Sequence, residues 1–266
     1  MQIWAHGSTV LVVGMHAPRA PLNKSIIDGK ISQYWRVSVV DLTASTQSDL
    51  AELVNSSVAK SGEIIVAEFQ SAGRGRLDRT FEAPPQSALL FSIYLEPKRV
   101  RTDWSFLSFL AAIALHEVIS ENTLETVSLK WPNDILINEK KVAGLLAQQI
   151  GDGVIVGIGF NVAMSEAELP VSTATSLVLS GSDNLDRNVL LIDFLNRFEN
   201  IFNQWESGVN FVERYLKMSA TIGRKVRVEI IGRDPIEGEA VAISTQGALI
   251  MSDGFEVNVG DVVHLR

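Results

Sequence analysis

The chain has 266 residues, 46% of them hydrophobic and 20% charged, the balance of a globular protein with enough apolar surface for a sizeable core. Acidic residues outnumber basic ones 31 to 23, and the net charge of −8 argues against a diffuse basic footprint for a nucleic-acid backbone, so any local basic cluster becomes informative. The absence of cysteine removes disulfides, zinc thiolates, iron–sulfur ligands and thiol nucleophiles; the four histidines, His6, His16, His116 and His264, lack metal-ligand spacing, which leaves metal chemistry to carboxylates and phosphates.

The length suits one large domain with a small appendage, at about 100–200 residues per domain. Residues 1–35, with Gly14, Pro18, Pro21 and Gly29, read as an irregular lead-in, too short for a winged-helix domain. Residues 10–13 are apolar but follow no Lys or Arg, and no apolar run reaches the roughly 18 residues of a membrane span, so a cytoplasmic protein is expected. A strand is expected over 36–41 (RVSVVD), and Thr43, Ser45 and Thr46 offer N-caps for a helix over about 47–60. A buried strand follows over 63–69, then a polar loop over 70–86 and a strand over 87–95. Asp103 is placed to cap a strongly apolar, buried helix over 105–120. Between 126 and 160, three or four short β runs separated by Pro132-Asn133, Asn138-Glu139-Lys140 and Gly151-Asp152-Gly153 form the pattern of consecutive hairpins. Helical periodicity returns over 188–217, and turns at Gly232, Gly238, Gly247, Gly254 and Gly260 predict a small terminal β-barrel from about residue 221.

Four stretches carry chemistry. In 70–79 (QSAGRGRLDR), Arg74, Arg76 and Arg79 fall within six residues, and the glycines at 73 and 75 permit close backbone approach to a ligand. Guanidinium forks suit phosphate and carboxylate oxygens, although neither the Walker nor the dinucleotide spacing is present and a solvated loop reads equally well. The run Lys130-Trp131-Pro132-Asn133-Asp134 compresses a cation, an aromatic, a turn and an acid between two β runs, bringing Lys130 and Asp134 together at a strand end. An acid there suits Mg²⁺ held through phosphate oxygens or a fixed neighbouring lysine; a plain hairpin is the alternative. Lys141, at a strand entrance, is placed as a point charge for a developing anion, and Gly144 marks a close approach. In 157–161 (GIGFN) alternate glycines clear one face and Asn161 supplies a donor and an acceptor.

Taken in order, GRGR followed by Arg79, then KWPND, KVAG and GIGFN resemble the biotin protein ligase family, over a match running from about residue 41 to the C-terminus. The resemblance implies an α/β (α+β) fold: a mixed sheet flanked by helices, related to class II aminoacyl-tRNA synthetases, as the catalytic core over 36–218, and an SH3-like barrel over 219–266. It implies an ATP- and Mg²⁺-dependent ligase that makes biotinyl-5′-AMP and pyrophosphate, then transfers biotin to a lysine of the carrier domain of an acyl-CoA carboxylase. By the same resemblance Ser45, Thr46 and Gln70 bond the biotin ureido ring, Gly144 and Gly159 line the biotin site, and Arg74, Arg76 and Arg79 close over the biotin carboxylate and ATP phosphates. Lys141 contacts the carboxylate and α-phosphate; Lys130, Asn133 and Asp134 serve phosphate, Mg²⁺ and the acceptor lysine; Asn161 touches the adenylate.

Phe81 stands where family members often have a tryptophan that stacks on adenine, and Gln47 where they commonly have asparagine, which leaves its role open. By the same resemblance the lead-in, too short for a winged helix, implies a monofunctional ligase without operator binding; no nucleic-acid or membrane partner is expected, and the protein is expected as a monomer or weak homodimer, which no residue pattern decides. The alternatives are a lipoate or octanoate ligase of the same superfamily and a non-catalytic nucleic-acid-binding regulator; the net charge disfavours the latter.

Overall fold

The structure is a computed structural model that describes residues 19–76 and 79–265; His6, His16, residues 1–18 of the lead-in, and Leu77 and Asp78 lie outside it. Seven strands form the main sheet: β1 (Arg36–Val40), β2 (Glu63–Ala67), β3 (Ala88–Leu95), β4 (Val127–Lys130), β5 (Asp134–Ile137), β6 (Lys140–Ile150) and β7 (Gly153–Asn161), in the order β1-β2-β3-β7-β6-β5-β4. Only β1 and β2 run parallel; the other neighbours are antiparallel, joined from β4 to β7 by three successive hairpins. β3 is buried at every position, which explains why its sequence shows no polar alternation.

One face of the sheet is covered by α3 (Leu107–Glu121) and α4 (Arg187–Glu206), whose buried residues belong to the main core. On α4, Phe194, Phe198, Phe202 and Trp205 make a column of ring contacts with centroids 5.5–6.1 Å apart. The other face carries α2 (Thr46–Asn55), where Leu50 packs with Ile65, Tyr94 and Ile155. The stretch Arg101–Glu121 is as long and apolar as a membrane span, and here it is packed in the interior.

Several local expectations change. Residues 19–35 are not irregular throughout: α1 (Lys24–Asp28) is capped by the Asn23 side chain, and Leu22, Ile27 and Trp35 enter the core. A buried ion pair, Glu68 to Arg187 at 2.6 Å, ties this segment down. Glu68 accepts from the Leu22 N–H, and Arg187 Nη2 donates to the Ala20 carbonyl at 2.8 Å. Asp103 does not cap α3; it sits in a 3₁₀ turn, Arg101–Phe106, paired with Arg99 at 2.7 Å. α2 stops at Asn55, where Ser57 turns to φ 60°. The helix expected over 188–217 divides into α4 and α5 (Val212–Met218), separated at Gly208 with φ 101°.

The C-terminal strands β8 (Lys225–Glu229), β9 (Ile236–Ile243), β10 (Leu249–Met251), β11 (Glu256–Val257) and β12 (Asp261–His264) form a separate antiparallel sheet, ordered β11-β10-β9-β8-β12. Gly238 lies inside β9 and is not a turn. Trp131 is the joint between barrel and core: its Nε1 donates to the Gly247 carbonyl at 2.9 Å and its backbone N–H to Thr221 Oγ1 at 3.1 Å.

Candidate active site

A cavity of about 290 Å³ opens between the sheet and the barrel, and all but one of the residues expected to contact biotin, ATP or magnesium line it. Its floor is polar although it lies among apolar strands. Ser45 begins α2 with extended backbone, yet its hydroxyl makes no capping bond, and the residue is 3% exposed. Thr46 donates its backbone N–H and its hydroxyl to Gln70 Oε1 at 2.8 and 3.0 Å, which fixes the Gln70 carbonyl and leaves its amide nitrogen as a donor. Thr46 Oγ1 also lies 2.8 Å from Ser92 Oγ.

Two glycines make room for neighbouring side chains. A Cβ at Gly157 would lie 2.3 Å from Gln47 Oε1, so the longer Gln47 fits because position 157 is bare. A Cβ at Gly159 would lie 2.6–2.8 Å from the Phe81 ring, so the end of that ring takes the place a side chain at 159 would occupy.

Strand register positions the lysine. Asp134 pairs across β5–β6 with Gly144, Ile135 with Ala143, and then Leu136 with Lys141, so Val142 is an extra residue in β6. Residues 141 and 144 would otherwise face opposite sides of the sheet; the bulge puts them on one side with Asp134. Lys141 Nζ meets Asp134 Oδ1 at 2.6 Å, and a Cβ at Gly144 would come within 3.0 Å of Nζ. Gly144 therefore clears space for the lysine itself. Backbone bonds from the Lys141 N–H to the Thr173 carbonyl and from the Thr175 N–H to the Lys141 carbonyl, both 2.8 Å, brace the position. Lys130 and Asp134 stand directly opposite each other, with a cis Trp131–Pro132 bond in the turn between them.

Asn161 is the exception: it lies outside the cavity lining, and its Nδ2 donates to the Thr175 carbonyl at 2.9 Å. It braces the segment that bonds Lys141.

The arginines form the rim. A short backbone bridge joins Arg74 to Thr80, and the Phe81 N–H bonds the Gly73 carbonyl at 2.9 Å. Arg79 reaches the barrel, with Nη2 2.6 Å from Asp261 Oδ2. Burial lowers the pKa of Arg76, opposed by the carboxylates of Asp261 and Asp134.

Sequence reasoning left Gln47 open and missed Ser92, Glu229, Asp261, Val262 and Val263 in the cavity wall. Ser92 had a signal, as the polar residue inside the apolar run ALLFSIYL. The barrel residues had none, because their presence depends on how the two sheets dock.

Among the described residues no group of three His, Asp or Glu could hold a metal ion, and the nearest oxygen of Asp134 is engaged by Lys141. This donor set fits magnesium carried on nucleotide phosphates and does not form a protein cage.

His264, the last residue of β12, packs against the segment that leads into the barrel. Its Nε2 is 3.2 Å from Thr221 Oγ1 and its Nδ1 3.4 Å from Arg224 Nη1. Burial, followed by the positive charges of Lys130 and Arg224 and opposed by Glu139, pushes its pKa down to about 4. An unfolded histidine titrates near 6.5, so only the unfolded state gains a proton between that value and about 4. Stability is therefore expected to fall as pH drops through this window and to lose nothing further from His264 below it. Thermal unfolding from pH 7.5 to 4.5 checks this: the loss should be smaller in His264→Gln, and equal losses in both proteins would contradict it.

Comparison with known proteins agrees with this geometry. Residues 39–162 match the Biotin/lipoate A/B protein ligase family and residues 221–265 the Biotin protein ligase C terminal domain. The chain is 36% identical over 242 residues to a biotin–[acetyl-CoA-carboxylase] ligase of Mycobacterium tuberculosis, covering 87% of this chain and 90% of that one. It is 32% identical over 224 residues to the bifunctional ligase/repressor BirA of Escherichia coli, covering 81% and 68%. The biotin protein ligase of Aquifex aeolicus in complex with biotin and ATP superposes with a TM-score of 0.73 at 30% identity, covering 86% and 98%. With both modules matched in order and the motif residues gathered around one cavity, the chain belongs to the biotin protein ligase family.

Proposed function

We propose that the chain is an ATP-dependent biotin–protein ligase that activates biotin as biotinyl-5′-AMP and passes it to a lysine of a carboxylase carrier domain. The observation that carries this is the pairing, in one cavity, of a buried floor of hydroxyls and amides with five cationic side chains. Ser45, Thr46, Gln47, Gln70 and Ser92 offer the donors and acceptors that a ureido ring, with one carbonyl and two N–H groups, requires. A dithiolane or an alkyl chain would leave that floor unpaired, which disfavours lipoate and octanoate.

The reaction divides in two. A biotin carboxylate oxygen attacks the α-phosphorus and pyrophosphate leaves; then the acceptor amine attacks the acyl carbon and AMP leaves. Lys141, oriented by Asp134, stabilises negative charge where the carboxylate meets the α-phosphate. Arg74, Arg76 and Arg79 bind the phosphates, and Lys130 with Asn133 and Asp134 flanks the place where phosphate and acceptor amine meet. Magnesium arriving with ATP supplies charge neutralisation on the phosphates. Phe81, its ring end packed on Gly159, forms an apolar wall for the adenylate. The acceptor is the carboxyl carrier protein of an acyl-CoA carboxylase, the protein acts in the cytoplasm, and no operator-binding role is carried over from the bifunctional relative.

Pyrophosphate release with MgATP should require biotin, and labelled biotin should then appear on a carrier-domain lysine. Release driven by lipoate or octanoate and not by biotin would overturn the proposal.

A further inference from the structure

We infer, resting on the ligase function proposed above, that Asp261 of the C-terminal barrel is a positioning residue that holds Arg79 away from nucleotide until phosphates displace it, and thereby sets the affinity for MgATP. The contact spans the two modules of the chain: Arg79 belongs to the arginine loop of the core, and Asp261 is the first residue of β12. Their 2.6 Å ion pair is asymmetric, with the arginine side chain 68% exposed and the aspartate 16%. The anchored partner is the barrel carboxylate, since β12 is bonded to β8 and the barrel is fixed to the core through Trp131.

Asp261 and Glu229 are directly opposed on β12 and β8, and both line the cavity that holds the phosphate-binding cations. Two like charges facing each other across strands are unfavourable, and both would repel a triphosphate. Glu229 is occupied by Arg227 at 2.8 Å, so the partner of Asp261 is the loop arginine. Without a nucleotide, Asp261 supplies the counter-charge that the crowded guanidiniums lack: Arg76 is favoured by Asp261 and disfavoured by Arg79. One oxygen of the Asp261 carboxylate thus takes, beside Arg79 Nη2, the place of a phosphate oxygen. Nucleotide must exchange one anion for another, and once pyrophosphate has formed the same carboxylate competes with it for Arg79.

The test is KM against kcat in pyrophosphate release, with ATP varied at saturating biotin, together with direct binding of a non-hydrolysable ATP analogue. Asp261→Asn is expected to lower the KM for MgATP, the Kd of the analogue and the inhibition constant of pyrophosphate by a common factor of about two- to five-fold, the worth of a partly exposed ion pair, with the KM for biotin unmoved. In an Arg79→Gln background the same substitution should move none of the three. An unchanged or raised KM for MgATP in folded Asp261→Asn overturns the inference, as does an equal effect in the Arg79→Gln background. If Asp261→Asn fails to fold, Asp261→Ser is read by the same criteria. Biotin-dependent pyrophosphate release by the unaltered protein is measured first. Without it the ligase function fails, whereas with it only the role of Asp261 is at stake.

Discussion

Replacing Lys141 with alanine should cut biotinyl-adenylate formation by about 10²–10³-fold in kcat, the usual cost of losing one preorganised charge or donor at a developing anion. The fold should survive, because the lysine side chain is 40% exposed and its loss opens no core cavity. Its orientation is supplied from several directions: the Asp134 carboxylate at 2.6 Å, the bare Gly144 beneath it, and backbone bonds to Thr173 and Thr175. Arginine is not expected to rescue, since its planar fork replaces a compact point charge that is held against Asp134 beside the bare Gly144. Single-turnover formation of the adenylate, with a melting curve as control, makes the measurement. Near-normal adenylation in a folded Lys141→Ala protein would remove the lysine from its assigned role.

Trp131→Ala should be the most damaging change to stability around the site, costing about 3–5 kcal/mol as large buried aromatics do on truncation. Trp131 is 1% exposed and holds the barrel to the core by both its ring and backbone N–H groups. It also stands between Lys130 and Asp134, so adenylation should fall together with stability. Trp131→Phe separates the effects: it keeps most of the packing but leaves the buried Gly247 carbonyl unpaired, for about 1–3 kcal/mol. If Trp131→Ala melted like the unaltered protein, the barrel would not be docked through this residue.

Much of the site was legible because its residues are clustered along the chain. GRGR, KWPND and KVAG each bring their charged groups to a turn or strand end, and local turn chemistry is what sequence patterns report. Six or seven core strands and the polar loops between them followed from β-branched runs and glycine punctuation, as did the separate terminal sheet. The failures have physical causes. Asp103 looked like a cap because capping chemistry and a salt bridge use the same residue type; Arg99, four residues earlier, decided between them. For Asn161 residue type alone does not assign a role, because a buried amide serves a neighbouring loop as readily as a substrate. Asp261 carried no local signal, for its neighbour Arg79 is far away in sequence and meets it only when the two sheets dock. The lead-in read as irregular because α1 is only five residues long, too short for helical periodicity to show.

The bulge at Val142 in β6 acts as a phase setting for the chemistry. Val142 is fully buried, so the core accepts it as one more apolar residue, yet it determines which side of the sheet presents Lys141. Regular pairing with every residue kept would turn the amine to the opposite face, whereas loss of Val142 itself would leave Lys141 opposite Leu136, still on the side of Asp134. The side on which the amine is presented is thus set by a backbone irregularity, so a change that slides this pairing by one residue would silence the site without touching a motif residue.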